Sequence, residues 1–311
     1  MIESSSVKAQ RILVIRGGAI GDFILTLPVL AALRDRFPQA EIEVLGYPRV
    51  ASLALSGGLA KAVHALESPG LAMFFAKSGL FDPEWRDFFG QFAIVISYLF
   101  DPDKIFETNV KSCGPSQFIA AQHRPDEAKP IHASDVFLKP LEQLTIFDSD
   151  PVARLELSGL AKRENCLALH PGSGSENKNW PEQNWRELVA HLIEHSPLNL
   201  MLVGGEAESD RLQRLANGMP PDRIEIVQHI PLPELAPRLA QCAGYVGHDT
   251  GVTHLASALG LPVLVLWGPS HEVVWRPLGE KVRVLNQHIE LAALPIETVI
   301  EGINALELEQ L

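Results

Sequence analysis

At roughly 150 residues per domain, a chain of 311 residues has the length of two. Its 46% hydrophobic and 21% charged residues lie close to the globular average, which excludes wholesale disorder and a low-complexity scaffold. With 26 Lys and Arg against 38 Asp and Glu the net charge is −12; a surface this acidic repels phosphate backbones and anionic head groups at long range, so nucleic acid is excluded as the expected partner.

The N-terminal MIESSSVKAQR has no apolar stretch of the kind a secretory signal peptide needs, and is expected to be a short frayed tail. Strands follow at Arg11 to Arg16 (RILVIR), Glu41 to Gly46, Ala62 to Leu66 and Phe92 to Leu99, with a helix from about Gly21 to Phe37. The apolar run AIVISYLF, residues 93–100, is far short of the roughly 20 residues that span a bilayer and suits a buried strand. A turn cluster between Asp148 and Ser158 marks a domain boundary, giving domains 1–155 and 156–311. Beyond it strands are expected at Cys166 to His170, Leu198 to Gly204, Ile224 to Gln228, Gly244 to Gly247 and Pro262 to Trp267. Helices should begin near Pro181, Glu206, Pro233 and Gly251. From Pro295 the apolar spacing of Ile296, Val299, Ile300, Ile303 and Leu306 is helical. Strand, glycine-bearing turn and helix thus alternate through both halves, the grammar of two doubly wound α/β domains. The three cysteines, Cys113, Cys166 and Cys242, form no CxxC pair and read as reduced thiols of a cytoplasmic protein.

Three turns follow a strand and open a helix, where open α/β sheets bind ligands. In RGGAIGDFILTLP, Gly17, Gly18 and Gly21 allow close backbone approach, but Ala19 breaks the GxGxxG fingerprint. Asp22 in the first helical turn would repel a pyrophosphate and suits a neutral hydroxyl from which it takes a proton, or it simply complements the helix dipole. In HPGSGSENKNWP, the small residues Gly172, Ser173, Gly174 and Ser175 precede Lys178, as in a phosphate-binding loop, though no GK[ST] follows. In GHDTGVTHLASALGLPVLVLWGPS, Asp249 or Thr250 can cap a helix opening at Gly251, with Thr250 and His254 on one face. Glu206, just past the strand LNLMLVGG, is positioned either to bind a ribose hydroxyl pair or simply to sit in the first turn of the helix that follows.

Taken together and in this order, GDFILTLPVLAALR, HASDVFLKPL, HPGSGSENKNWP and GHDTGVTHLASALGLPVLVLWGPS resemble glycosyltransferase family 9, the lipopolysaccharide heptosyltransferases and their relatives. The resemblance implies the GT-B architecture, two facing Rossmann-like domains with an interdomain cleft, the N-terminal one binding acceptor and the C-terminal one a nucleotide-sugar. It implies inverting transfer without a metal or other cofactor, the nucleotide-diphospho-sugar being substrate, with ADP-heptose favoured. Asp22 would be the general base. Lys178 and the Ser173 or Ser175 hydroxyls would bind donor phosphates with the Thr250 and Gly251 amides. Glu206 would meet the ribose, Asp249 and His254 fall on the donor side, and Gly17, Gly18 and Gly21 form the acceptor-side loop. The implied partners are the donor and a glycan or glycolipid acceptor, through which the chain can associate transiently with the inner membrane. SGSEN stands where the family often has a Thr pair before its lysine.

Two other readings suit the same fold. A nucleotide-sugar-binding protein without activity would need no base at Asp22. A sugar-nucleotide epimerase would need further catalytic carboxylates and histidines. The broken fingerprint argues against a nicotinamide oxidoreductase.

Overall fold

A computed structural model describes residues 10–77, 79, 81–161, 163–174, 178–205, 209–286, 290–306 and 308. The chain divides into two units, one of Met1–Ala19, Thr26–Asp126 and Ala133–Pro151, the other of Ile20–Leu25, Glu127–His132 and Val152–Leu311. Two separate segments and residues 152–155, all N-terminal to the expected boundary at 155/156, thus sit in the second unit.

In chain order the first elements are β1 (Arg11–Arg16), α1 (Ile20–Ile24), α2 (Leu27–Arg36), β2 (Glu41–Gly46), α3 (Pro48–Ser56), β3 (Ala62–Ala65), α4 (Pro83–Gly90), β4 (Ile94–Ser97), α5 (Ile105–Lys111), β5 (Gln117–Ala120) and α6 (Ala133–Leu138). All of these except α1 belong to the first unit, whose five parallel strands run in the order β3-β2-β1-β4-β5. RILVIR is buried from Ile12 to Arg16, as a central strand covered on both faces requires. Leu13, Ile15, Leu45 and Val95 meet the rings of Phe74, Phe89, Phe92 and Phe106 in one core. Each such side chain contributes about 1.5–3 kcal/mol by leaving water. Glu43 is the exception inside β2. Burial alone would push its pKa up, but bonds from His64 and Arg11, both at 2.6 Å, hold it below the usual carboxylate value.

The helix expected over Gly21 to Phe37 is broken into α1 and α2. Pro28, in the first turn of α2, has no N–H to donate to the Ile24 carbonyl four residues back, so the helix stops and restarts at Thr26. The break lets α1 leave the first unit while α2 stays in it.

The second unit continues with β6 (Arg163–His170), α7 (Glu182–His195), β7 (Asn199–Gly204), α8 (Ser209–Ala216), β8 (Ile224–Gln228), α9 (Leu232–Ala240), β9 (Cys242–His248), α10 (Gly251–Ala258), β10 (Val263–Leu266), α11 (Glu272–Trp275), β11 (Val282–Leu285) and α12 (Ile296–Asn304). Its six parallel strands run β11-β10-β9-β6-β7-β8, the doubly wound order of a Rossmann sheet. The order reverses between β6 and β9, so this sheet's ligand position lies beyond His170 and His248, the last residues of those strands. Trp180, Trp185, Leu188, Leu202 and Val246 fill the core, and α12 adds Val299 and Ile303, which assigns the terminal helix to this unit.

The edge strands β5 and β11 are absent from the sequence expectation. Each has only four residues, and they are largely half-buried or exposed, so neither carries the continuous apolar run that marks a central parallel strand. Among the described residues no helix is long and apolar enough to cross a membrane.

Candidate active site

The carboxyl ends of β6 and β9 are tied together by two histidines. His248 accepts a hydrogen bond at Nε2 from the Trp180 backbone N–H at 2.8 Å. Its proton therefore lies on Nδ1, which donates to the Gly172 carbonyl at 3.3 Å. This neutral ring fastens both sides of the loop that carries Lys178 to the end of β9. The Trp180 indole N–H anchors the same loop to the Leu294 carbonyl at 2.9 Å. His170 Nδ1 lies 3.3 Å from Thr250 Oγ1, and Thr250 is the N-cap of α10, accepting from the Thr253 N–H. Of the two capping candidates, Thr250 takes the role. Asp249 instead pairs with Lys178, Nζ to Oδ2 at 2.9 Å. That pair joins residues from two loops at the switch point, a lysine on the turn after β6 and a carboxylate on the turn after β9.

Asp22 reaches the same unit through α1. Gly21 and Gly251 face each other where α1 meets α10. A Cβ on Gly251 would run into Ile20 and come within 3.0 Å of the Gly21 nitrogen, while a Cβ on Gly21 would lie 3.3 Å from the His254 ring. The glycine expected to leave helix amides open to an anion thus also permits the approach of α1. Asp22 is half-buried in the first turn of α1. Its charge acts on His254, as do those of Asp249, His132 and Lys178. His254 is buried, and its Nδ1 has no hydrogen-bond partner among the described residues.

The remaining sequence-predicted residues fall as follows. Ser173 is buried on the loop after β6. Ser175 and Glu206 lie outside the described residues. Gly17 and Gly18 belong to the first unit, apart from Gly21. Gly18 has φ 100°, which favours glycine, and a Cβ on Gly17 would rest 3.4 Å from Leu66. Local sequence does not single out His170, His248 or His132. His132 bonds the Arg276 carbonyl at 2.8 Å. The available signal was position, since HPG and GHD place a histidine at the end of each strand flanking the switch point.

Burial pushes His170 and His254 down to about 4 and His248 to about 3 from the ordinary 6.5. All three are neutral near pH 7. Because the folded values lie below the unfolded one, the unfolded chain binds more protons between them, so this contribution is complete above pH 6.5 and is lost as pH falls toward 4. Each group adds up to about 1.4 kcal/mol per pH unit to that slope. Four of the five tryptophans, Trp180, Trp185, Trp267 and Trp275, lie in the second unit and only Trp85 in the first, so denaturant midpoints read by tryptophan fluorescence report chiefly the second unit and should drop clearly between pH 7.5 and pH 5. Equal midpoints at the two values would contradict neutral burial.

Residues 133–301, more than half of the chain, match the family described as Glycosyltransferase family 9 (heptosyltransferase). Lipopolysaccharide heptosyltransferase 1 of Escherichia coli K12 is 32% identical over 145 residues, 46% of this chain and 44% of the relative. The chain spans less than half the length of the first curated relatives it matches. Among solved structures, a family 9 glycosyl transferase from Veillonella parvula superposes with a TM-score of 0.80 at 19% identity, covering 97% of this chain and 98% of that one. E. coli heptosyltransferase WaaC with ADP gives 0.77 at 20% identity over 95% and 99%. These likenesses give the fold, the GT-B type with its two Rossmann-like domains. On the family match and the fold together, the chain belongs to glycosyltransferase family 9.

Proposed function

We propose that the chain transfers a sugar from a nucleotide-diphospho-sugar to a hydroxyl of a lipopolysaccharide-core-type or other glycan acceptor, with inversion and without a metal. ADP-heptose is the favoured donor, because the relatives are named heptosyltransferases and one solved neighbour is described with ADP. The observation that carries the reading is the packing of α1 on α10, which brings a carboxylate, Asp22, into the unit that also holds Lys178 and Asp249 at its switch point.

In this mechanism Asp22 accepts the proton of the acceptor hydroxyl as its oxygen attacks the anomeric carbon. The glycosidic bond to the diphosphate breaks on the opposite face, and the leaving nucleoside diphosphate takes the electron pair. Positive potential where that charge grows comes from Lys178 and the α10 N-terminus. Asp249 holds the lysine in place beforehand. Among the described residues no group of three or more His, Cys, Asp or Glu is arranged to bind a metal ion. The acceptor hydroxyl is neutral, so a half-buried carboxylate can stand beside it without the repulsion a phosphate would meet.

Titration of ADP and UDP against wild type and Lys178→Ala tests the donor side. Loss of one charge-assisted bond should weaken ADP by about 1–3 kcal/mol, roughly 5–150-fold. Unchanged affinity for both nucleotides would remove Lys178 from the donor site. A donor that binds only as UDP-sugar would correct the nucleotide.

A further inference from the structure

The first unit holds a cavity of about 190 Å³ at the carboxyl ends of β4 and β5, whose lining includes Ser97, Phe100, Asp101, Gln122 and His123. It lies one strand out from the reversal between β1 and β4: Ser97 and Ala120 are the last residues of β4 and β5, and the described lining includes no residue of β1.

Both lining loops are fixed from beneath. Asp101 accepts from the Ile105 N–H at 2.9 Å and the Glu107 N–H at 2.8 Å, one carboxylate oxygen each, which pins the loop before α5. The buried Arg16 donates from Nη1 to the His123 carbonyl at 2.8 Å, with its guanidinium 4.3 Å from the Phe137 ring centre. A pocket whose walls are already held loses little freedom when it is filled.

The lining chemistry selects the occupant. Phe100 is 69% exposed, with its ring centre 4.8 Å from that of His123. An aromatic face beside polar groups suits a sugar ring, which is apolar on its C–H face and polar around its edge. Gln122 donates its amide N–H to the Arg124 carbonyl at 2.8 Å, which orients the side chain and directs its carbonyl oxygen as an acceptor. The Ser97 hydroxyl adds a donor. The charged side chains among the described lining residues are Asp101 and Glu107, with neither Lys nor Arg among them. Such a site repels phosphate and carboxylate groups. Its volume lies below the about 300–1,000 Å³ of pockets that enclose drug-sized ligands, which leaves room for one ring.

We propose that this cavity is a subsite for a single uncharged sugar ring, stacked on Phe100 and held at its hydroxyls by Gln122 and Ser97. Assigning that ring to the acceptor rests on the transferase reading above; the subsite itself does not. It makes the acceptor end recognised here a neutral sugar, any phosphates of the acceptor lying outside the cavity.

Saturation-transfer NMR on the full chain, with methyl α-glucoside, methyl α-mannoside and glucose 6-phosphate as probes, tests it alongside ADP titration. The neutral glycosides should receive saturation and glucose 6-phosphate should receive less. Phe100→Ala should weaken the glycosides at least fivefold, Phe100→Tyr should retain them, and ADP affinity should be the same in all three proteins. Glycoside signals indifferent to Phe100→Ala, or a preference for glucose 6-phosphate, would overturn the subsite even if ADP binds. Absence of ADP binding would overturn the transferase reading, while a glycoside signal that depends on Phe100 would still establish the subsite.

Discussion

Replacing Asp22 with Asn is expected to lower turnover about 10²–10⁴-fold, the usual contribution of a general base, while the protein stays folded and binds ADP normally. The substitution keeps the size of the side chain and removes the proton acceptor. A carboxylate that acted only on the dipole of α1 would contribute about 0.3–1 kcal/mol to stability, and its loss would leave the chemical step untouched. The readout is single-turnover transfer, where product release does not limit the rate, with denaturant midpoints measured on the same samples. Near wild-type single-turnover rates would make Asp22 structural and send the search for the base elsewhere.

The second large effect is expected at Gly251, far from Asp22 in sequence. Gly251→Ala places a methyl group where Ile20 and the backbone of Gly21 already stand. α1 must then shift away from α10, carrying Asp22 with it. A misplacement of about 1 Å at a reacting group costs on the order of 10²-fold in rate, so Gly251→Ala should approach the turnover of the Asp22 variant without touching its carboxylate. Adding Ile20→Gly removes both obstructing side-chain atoms and should restore part of the loss, even though glycine weakens a helix by about 1 kcal/mol. If Gly251→Ala turns over normally, the contact between α1 and α10 does not position the base. If Ile20→Gly rescues nothing, the damage lies in α10 itself.

These two variants also show where a sequence stops being informative. RILVIR and VLVL announce central strands because a strand covered on both faces needs nearly every residue apolar. The turns after β1, β6 and β9 are legible as ligand positions because glycine, small residues and a following helix are required there. The partners are not. Lys178 and Asp249 lie 71 residues apart, and nothing in either local sequence says that they pair. Asp249 and Thr250 were equal candidates for the helix cap until the ion pair and the Thr253 N–H separated them. The role of His248 depends on a backbone N–H and a carbonyl from the loop after β6, which its neighbours GHD do not encode. Likewise the apolar spacing of residues 21–37 reads as one helix; the break before Pro28 and the packing of Gly21 against Gly251 together account for α1 leaving the first unit.

The central claim is transfer itself, and product analysis tests it most directly. The full chain is incubated with ADP-heptose and a panel of truncated lipopolysaccharide-core acceptors, those ending in a neutral sugar included, in excess EDTA, and both products are followed by mass spectrometry and nucleotide chromatography. The account predicts that the acceptor gains one heptosyl unit for each ADP released, with the new linkage inverted relative to the donor, and that Asp22→Asn lowers both signals together by about 10²–10⁴-fold. ADP-heptose bound in stoichiometric amount, with neither ADP released nor acceptor modified until magnesium is added, would contradict it.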